Sequence, residues 1–386
     1  MESSNSNQIK QQFKSFSNEK GFRYHDTDSL IAPENSKLLF NISGGVKYQE
    51  EILGKKEATE VKVASIQECV RTDGMKTIGY SGRHHLFFEM LGHFMFYALP
   101  EKETKEEFIK FAYDFLVKEV GLNEDRIFAT VHPEDQVTLD IWKKLGNKNI
   151  IISDSNYFVS PYADKSSLRT EIKWQNDNEL VELWNLVFTE FNSKNLFVNP
   201  SEKIAADSGA SLDRIVTAYE NKCNDFENSM WSNYVNYLMS LGNNGKIEEY
   251  RRLADFFNTS ARMINAGIKP GNKVQPYTLR KILRMMFNIC ETLDLNYEDF
   301  IDVYFKYNRL SIKEEVFTRV LEEEFDRYTK AIKKGLLEAK KYIKKNGSEN
   351  ITLEYLSSTY GLPEEYAGKI ISGKMPILSK RMSKKD

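Results

Sequence analysis

"CVRTDGMKTIGYSGRHHLFFEMLGHFMF" occupies residues 69–96. Apolar, aromatic-rich runs flank the polar loop TDGMKTIG, and runs of that composition read as buried strands. The spacing predicts two strands joined by a Gly-containing loop. The second run also holds Arg83, Glu89 and three of the chain's five histidines, His84, His85 and His93. Charges are rarely buried unpaired, so this much polar chemistry inside a buried segment needs a cause. His85, Glu89 and His93 stand at i, i+4 and i+8 and are of metal-ligand type. On a helix they would align. On a strand rising about 3.3 Å per residue they are too spread to share one ion. Histidines held by backbone partners would account for one or two of them, but not for Arg83 and Glu89 as well. The remaining arrangement is a strand that floors a site for a polar ligand.

The rest of the chain is large enough to build such a site. It has 386 residues, 41% hydrophobic and 12% aromatic, enough for a sizeable core and of a length that suggests two domains. The net charge of -2 shows no global bias toward nucleic acid or acidic partners. It is unevenly spread, however: about -9 over the first 240 residues and about +7 over the remainder. A basic half can face phosphate, or it can be a solvated helical surface. Cys69, Cys223 and Cys290 lie far apart with no CxxC, which argues against a disulfide framework and for a reducing cytoplasm. The polar start MESSNSNQIKQQ has no apolar core of a signal peptide, so none is expected. No run of about 18 apolar residues predicts a membrane span.

Strand and helix patterns divide the chain. IKQQFKSFSNEKGF predicts an amphipathic helix closed by Gly21. SKLLFNISGGVKY predicts an apolar strand running into a Gly44-Gly45 turn, RIFATVH and NIIIS short buried strands, and LVELWNLVFTEFN another strand. EEFIKFAYDFLVKEVGL has helical period, and GASLDRIVTAYE opens a helix. Hairpin-like spacing among these strands points to a mainly antiparallel sheet. From about residue 240 the strand signal vanishes. NGKIEEYRRLADFFNTSARMI, TLRKILRMMFNICETL and YEDFIDVYFKY are helical. The longest helix is expected over 312–345, with an apolar stripe of Ile312, Val316, Val320, Phe325, Tyr328, Ile332, Leu336 and Tyr342. The fold class expected is α+β, with a domain over 1–238 and an all-α domain over 239–386. The tail SKRMSKKD reads as disordered and solvated, with contact to RNA as the other reading.

The opening stretch resembles motif 2 of the class II aminoacyl-tRNA synthetases in its alanyl-tRNA synthetase form, where a CVR strand and a loop precede RHHTFFEMLGNFSF. LLFNISGGVKYQEEILG (38–54) resembles that family's motif 1 region. VELWNLVFTEFN (181–192) resembles its EIWNLVFMQF strand, and ADSGASLDRI (206–215) its motif 3, VDTGMGLERI. Residues 252–284 and STYGLP (358–363) resemble pieces of its helical tRNA-recognition domain. The resemblance runs in order along nearly the whole chain. It implies an antiparallel sheet flanked by helices, forming aminoacyl-adenylate, followed by the helical domain. The family's editing and C-terminal domains would follow residue 386, so it also implies a truncated paralog.

That resemblance implies ATP and Mg2+ as cofactors, alanine as the favoured amino acid, and tRNA as the partner of the helical domain. Arg71 matches the motif 2 arginine, on the α-phosphate, and Arg214 the motif 3 arginine, on the γ-phosphate. A planar guanidinium suits both tasks because it grips phosphate bidentately. Arg83 and His85 fall on the phosphate side or brace the strand. The adenine falls to the backbone around Met90, with Phe87 or Phe88 stacked on it or left in the core. Glu182 and Glu171 are of the type that carries Mg2+, with ordinary ion pairing as the alternative. Asp207 matches the partner of the substrate ammonium, or else caps the helix that follows it. Asn185, Val187 and Gly209 match the pocket wall.

Three departures bear on function. The family's DNFWQMGDTGPCGPCTEI is SNYFVSPYADKSSLRTEI here (155–172), so Phe158 replaces a pocket tryptophan. The motif 2 loop is shorter, with Lys76 as the only candidate for its lysine. The family reads a G·U pair from the shallow RNA minor groove with an asparagine and an aspartate, and Val274 and Ser358 stand at those places. Besides tRNA charging, two alternatives follow: transfer to a small molecule, peptide or carrier protein, or a non-catalytic RNA-binding or regulatory protein.

Overall fold

The structure is a computed structural model and describes residues 3–26, 29–159, 166–177, 179–189, 203–242, 245–308, 310–347 and 351–374. The basic tail at 379–386 lies outside them. By compactness the chain divides into two units, Met1–Asn236 and Tyr237–Asp386.

In the first unit nine strands form one sheet among the described residues. They are β1 (Arg23–His25), β2 (Lys62–Val70), β3 (Phe87–Phe96), β4 (Ile127–Val131), β5 (Ile150–Ile152), β6 (Tyr157–Val159), β7 (Ser166–Gln175), β8 (Leu180–Thr189) and β9 (Ala205–Ser211). The spatial order is β1-β2-β3-β9-β8-β7-β4-β5, with β6 on the free part of β7. Only β1–β2 and β4–β5 are parallel; the pairs at the centre are antiparallel. Around the sheet stand α1 (Ser4–Glu19), α2 (Gln49–Ile52), α3 (Glu101–Asp114), α4 (Gln136–Lys144) and α5 (Leu212–Tyr219). α1 ends at Gly21, whose φ of +78° is the left-handed turn that glycine adopts without strain.

Side chains alternate across a strand, and in β3 that alternation sorts the opening stretch into two faces. Glu89 and His93 point toward α1 and α3. Glu89 pairs with Lys10 of α1 at 3.1 Å. His93 is fully buried among Phe22, Phe108, Phe111 and Trp184. Phe88 and Met90 point the other way, to the uncovered face, where they pack with Cys69.

Four local expectations are corrected. Residues 36–48 form no strand: Ile31–Phe40 is an isolated bridge and Gly44–Tyr48 a 3-10 turn. Asn41 is held by single bonds to Leu30 and Val70, and the turn packs onto the Phe94 ring instead of pairing. β5 is an edge strand rather than a buried one, with Ile152 52% exposed. GASLDR does not open a helix at its glycine. Gly209, Ala210 and Ser211 belong to β9, because β8 and β3 claim their backbone, and α5 starts at Leu212. Asp207 is therefore a strand residue and no helix cap.

The second unit is helical throughout its described residues: the boundary falls within α6 (Ser232–Leu241), and α7 (Ile247–Asn265), α8 (Val274–Leu293), α9 (Ile301–Tyr307), α10 (Glu314–Asn346), α11 (Leu353–Tyr360) and α12 (Glu364–Ile371) follow. α8 packs on α7 and α10. The fourth correction is the stripe of α10. Phe317 and Leu321, not Val316 and Val320, are buried ahead of Phe325, Tyr328, Ile332 and Leu336. Phe317, one position later than expected, reaches the Phe257 ring, and Phe325 packs on Phe287.

Candidate active site

The uncovered face is a floor made of rows. Residues directly opposite in an antiparallel pair share a face. Phe94 lies opposite Asp207, Asp207 opposite Val187, and Val187 opposite Arg169. The next row is Gly209, Asn185 and Glu171, and beyond it Met90 stands opposite Ser211. A cavity of about 500 Å³ lies over these rows. Gly209 keeps the floor low: a Cβ there would stand 2.7 Å from the Met90 sulfur. The Gly44-Gly45 turn borders the same end, with the Cβ position of Gly45 3.8 Å from Asp207 Oδ2.

The Asp207 end is rich in hydrogen-bond acceptors. Burial raises the Asp207 carboxyl to about 7, since a desolvated carboxylate resists ionisation. The side chain stays partly open only through the cavity itself. Asn185 Oδ1, beside it on the floor, is buried with no hydrogen-bond partner among the described residues. Two adjacent acceptors make a place for a ligand ammonium.

The other end is cationic. Arg71 follows β2, donates from Nε to the Ile42 carbonyl at 2.9 Å and lies over the Phe88 ring at 5.0 Å. Arg214, on the first turn of α5, donates to the Glu182 carbonyl at 3.0 Å. Arg83 is tied to Glu179 at 2.6 Å and to the Cys223 carbonyl at 2.7 Å, while its Nη1 is buried without a partner among the described residues. All three line the cavity. His84, also on the wall, is held below the usual imidazole range by burial and then by the charges of Arg214, His85 and Arg71, against Asp225. It reports the positive field of that end.

His85 touches the cavity with its edge, but its ring stacks on Trp231 at 4.5 Å. Its Nε2 is 3.6 Å from Asp225 Oδ2. Asp225 accepts from the Thr217 hydroxyl at 2.8 Å, and Asp213 from the Trp231 indole at 2.7 Å. Burial raises the Asp213 carboxyl. This network fixes α5, and so the place of Arg214. His93 has no share in the cavity. Its Nε2 donates to the Phe108 carbonyl at 3.1 Å and its Nδ1 bonds the Ser208 hydroxyl at 2.7 Å. Burial depresses it to about 3, so it is neutral.

The cavity brings together Arg71, Arg83, His85, Met90, Phe158, Glu182, Asn185, Val187, Asp207, Gly209 and Arg214. Two expected residues do not line it. Phe87 lies on the opposite face of β3 from Phe88, because neighbours on a strand point apart, and it is buried away from the cavity. Glu171 is buried under ion pairs with Arg169 and Lys173, each at 3.0 Å, so its oxygens are already taken. Among the described residues no group of three or more His, Cys, Asp or Glu is placed to hold a metal. Lys76 is exposed and off the wall, where Asp73, Gly74 and Ile78 of the same loop stand. Sequence reasoning missed Arg169, Ser43 and Ser211. For Arg169 a signal existed: it alternates with Glu171 on one strand, two residues before it.

The family description "tRNA synthetases class II (A)" matches residues 8–376. The chain belongs to the class II (A) tRNA synthetases. Among its relatives, an alanine–tRNA ligase of Orientia tsutsugamushi (strain Ikeda) is 26% identical over 97% of this chain and 47% of that protein. An alanine–tRNA ligase of Staphylococcus aureus (strain JH9) is 27% identical over 94% of this chain and 46% of its own length. The chain thus spans about half the length of these curated relatives. A pyrrolysyl-tRNA synthetase from Desulfitobacterium hafniense aligns in structure over 58% of this chain and 72% of its own, at 10% identity and a TM-score of 0.37. As a class II synthetase sheet, the floor described above is the surface whose ligands have to be inferred.

Proposed function

We propose that this chain activates a small α-amino acid with ATP to an aminoacyl-adenylate and transfers the aminoacyl group to tRNA or a tRNA-like acceptor, as an alanine–tRNA ligase-type enzyme. The observation that carries it is the polarity of one cavity: the acceptors Asp207 and Asn185 at one end, the Asn185 oxygen without a donor among the described residues, and Arg71, Arg83 and Arg214 at the other. A zwitterion and a triphosphate are the two ligands that such ends suit. The substrate ammonium goes to Asp207, and Val187 and Gly209 wall a short side chain. An amino-acid carboxylate oxygen bonds to the α-phosphorus, the bond from that phosphorus to the bridging oxygen breaks, and pyrophosphate leaves. Catalysis of this step is positioning and the stabilisation of charge on phosphate oxygens, work for Arg71 at the α-phosphate and Arg214 at the γ-phosphate. Arg83 and the edge of His85 border the triphosphate, with the adenine along Phe88 and the Met90 backbone. Mg2+ bound with nucleotide takes only one or two carboxylates beside phosphates and water, and Glu182, whose own carbonyl Arg214 bonds, is a wall carboxylate for that task.

The relatives' names favour alanine. A methyl group discriminates by only about 1–3 kcal/mol, so glycine and serine compete. The free cysteines and this substrate set suit the cytoplasm, and no helix among the described residues is long and apolar enough to cross a membrane. ATP–pyrophosphate exchange, run across all amino acids with and without tRNA, tests the reading. Exchange that depends on a small amino acid and needs no RNA is expected. Absence of exchange with every amino acid would overturn it.

A second reading concerns the acceptor. Val274 and Ser358, at the places of the family's base readers, are both exposed, and valine offers no hydrogen bond to a base edge. A non-tRNA acceptor accounts for that loss. Charging of a G·U and a G·C form of tRNA(Ala) at two salt concentrations separates the two. Negligible charging of both beside robust exchange favours the non-tRNA acceptor, and a hundredfold preference for G·U removes it.

A further inference from the structure

Among the described residues, Arg169 is the one guanidinium at the amino-acid end of the cavity. It stands opposite Val187, which stands opposite Asp207. With strands about 4.8 Å apart, it follows the ammonium partner and the side-chain wall in the same row. A substrate anchored on Asp207 and passing Val187 therefore meets Arg169 with its side chain. The segment that Arg169 occupies resembles a family segment in which TEI is preceded by cysteine, whose weakly polar thiol carries no positive charge.

The guanidinium is held but not saturated. Nη2 reaches Glu171 at 3.0 Å and the Ser155 carbonyl at 3.3 Å. Nε is buried with no acceptor among the described residues. The Glu171 carboxylate is shared with Lys173, also at 3.0 Å, so two cations face one anion. A buried donor without an acceptor is costly, and a ligand oxygen would relieve it.

On the reading that this cavity adenylates an amino acid, we propose that Arg169 is a specificity-determining residue. Its guanidinium donates to an oxygen on the substrate side chain, so the enzyme prefers a short amino acid with a β-carbon hydroxyl or carboxylate, serine or aspartate, to alanine. Sites built to bond a substrate oxygen reject the analogue lacking it, because their own polar group is then left unpaired.

The test uses the full chain and two readouts: equilibrium dialysis of labelled serine, aspartate and alanine in the presence of ATP, and pyrophosphate exchange with each. Wild type is expected to favour serine or aspartate over alanine by at least about tenfold; whichever of the two leads identifies the side chain. Arg169→Ala leaves Glu171 with Lys173 as its remaining partner and is run singly and, to remove the pull of that carboxylate on the ligand, together with Glu171→Gln in a double variant. That variant is expected to lose the preference while changing alanine by less than about threefold. Arg169→Lys, which keeps the charge but not the planar fork, is expected to fall between. Alanine ahead of both competitors in wild type, or a preference unchanged in the double variant, overturns the proposal and leaves the adenylation reading standing. Arg169-dependent binding without exchange does the reverse. No binding of any of the three overturns both.

Discussion

At the scale of single residues, charge placement governs what the cavity can do. Arg71 is exposed and Arg214 only half-buried, and each makes a single hydrogen bond to a carbonyl. Little of the fold rests on them. Arg71→Ala and Arg214→Ala should each lower pyrophosphate exchange by about a hundredfold or more, the loss expected for one preorganised charge at a reacting centre, with unchanged circular dichroism and melting temperature. Near wild-type exchange in either variant would remove it from the site. Asp207 makes a prediction of the opposite kind. Its carboxyl is raised to about 7 in the fold, against about 3.9 in an unfolded chain. The folded state thus binds the proton more tightly, and this group's contribution to stability is full below about pH 4 and lost as pH rises to about 7. Asp207→Asn should flatten the stability profile across that window in urea melts. It should also abolish amino-acid binding, while in wild type the KM for amino acid should rise as pH falls below about 7.

At the scale of elements, α8 carries a strain that has a use as a diagnostic. Val274, its first residue, has φ of +55°, in a region where a β-branched side chain is a genuine outlier. Asparagine tolerates it better, and glycine adopts it freely. Val274→Asn should therefore raise the stability of the helical unit by about 1 kcal/mol, read as a shift in the denaturant midpoint at constant slope. A loss of stability would mean that the exposed valine is packed by a partner. Elements also show where pattern reading fails. β2, β3 and β8 announce themselves by runs rich in apolar residues, and α1 by its period and closing glycine. Residues 36–48 are as apolar as a strand but pair only through the isolated Ile31–Phe40 bridge, and periodicity cannot see a missing partner. Ala205–Ser211 holds three alanines, two serines and a glycine, poor strand formers alone, and is a strand only because β3 and β8 hold both its sides.

At the scale of the whole molecule, every residue assigned to the adenylate lies in the unit Met1–Asn236. A fragment of residues 1–241, which keeps α6 whole, should therefore catalyse amino-acid-dependent exchange, and added tRNA should not be required. A soluble, folded fragment without exchange, beside an active full chain, would assign the helical unit a part in activation. The sequence by itself determined α1, α3 and the strands β2, β3, β4 and β8, the helical second half and membership of the motif set, because these depend on local period and on short strings read in order. Arg71, Asp207 and Arg214 were legible in that way. Only the tertiary structure decided which face each residue serves. Phe87 and Phe88 are adjacent in sequence and lie on opposite faces of β3; Glu171 is spent on ion pairs, and Arg169 reaches the cavity. Facing and pairing are set by strand register between segments far apart in the chain, and that register is fixed only when the sheet closes around its core.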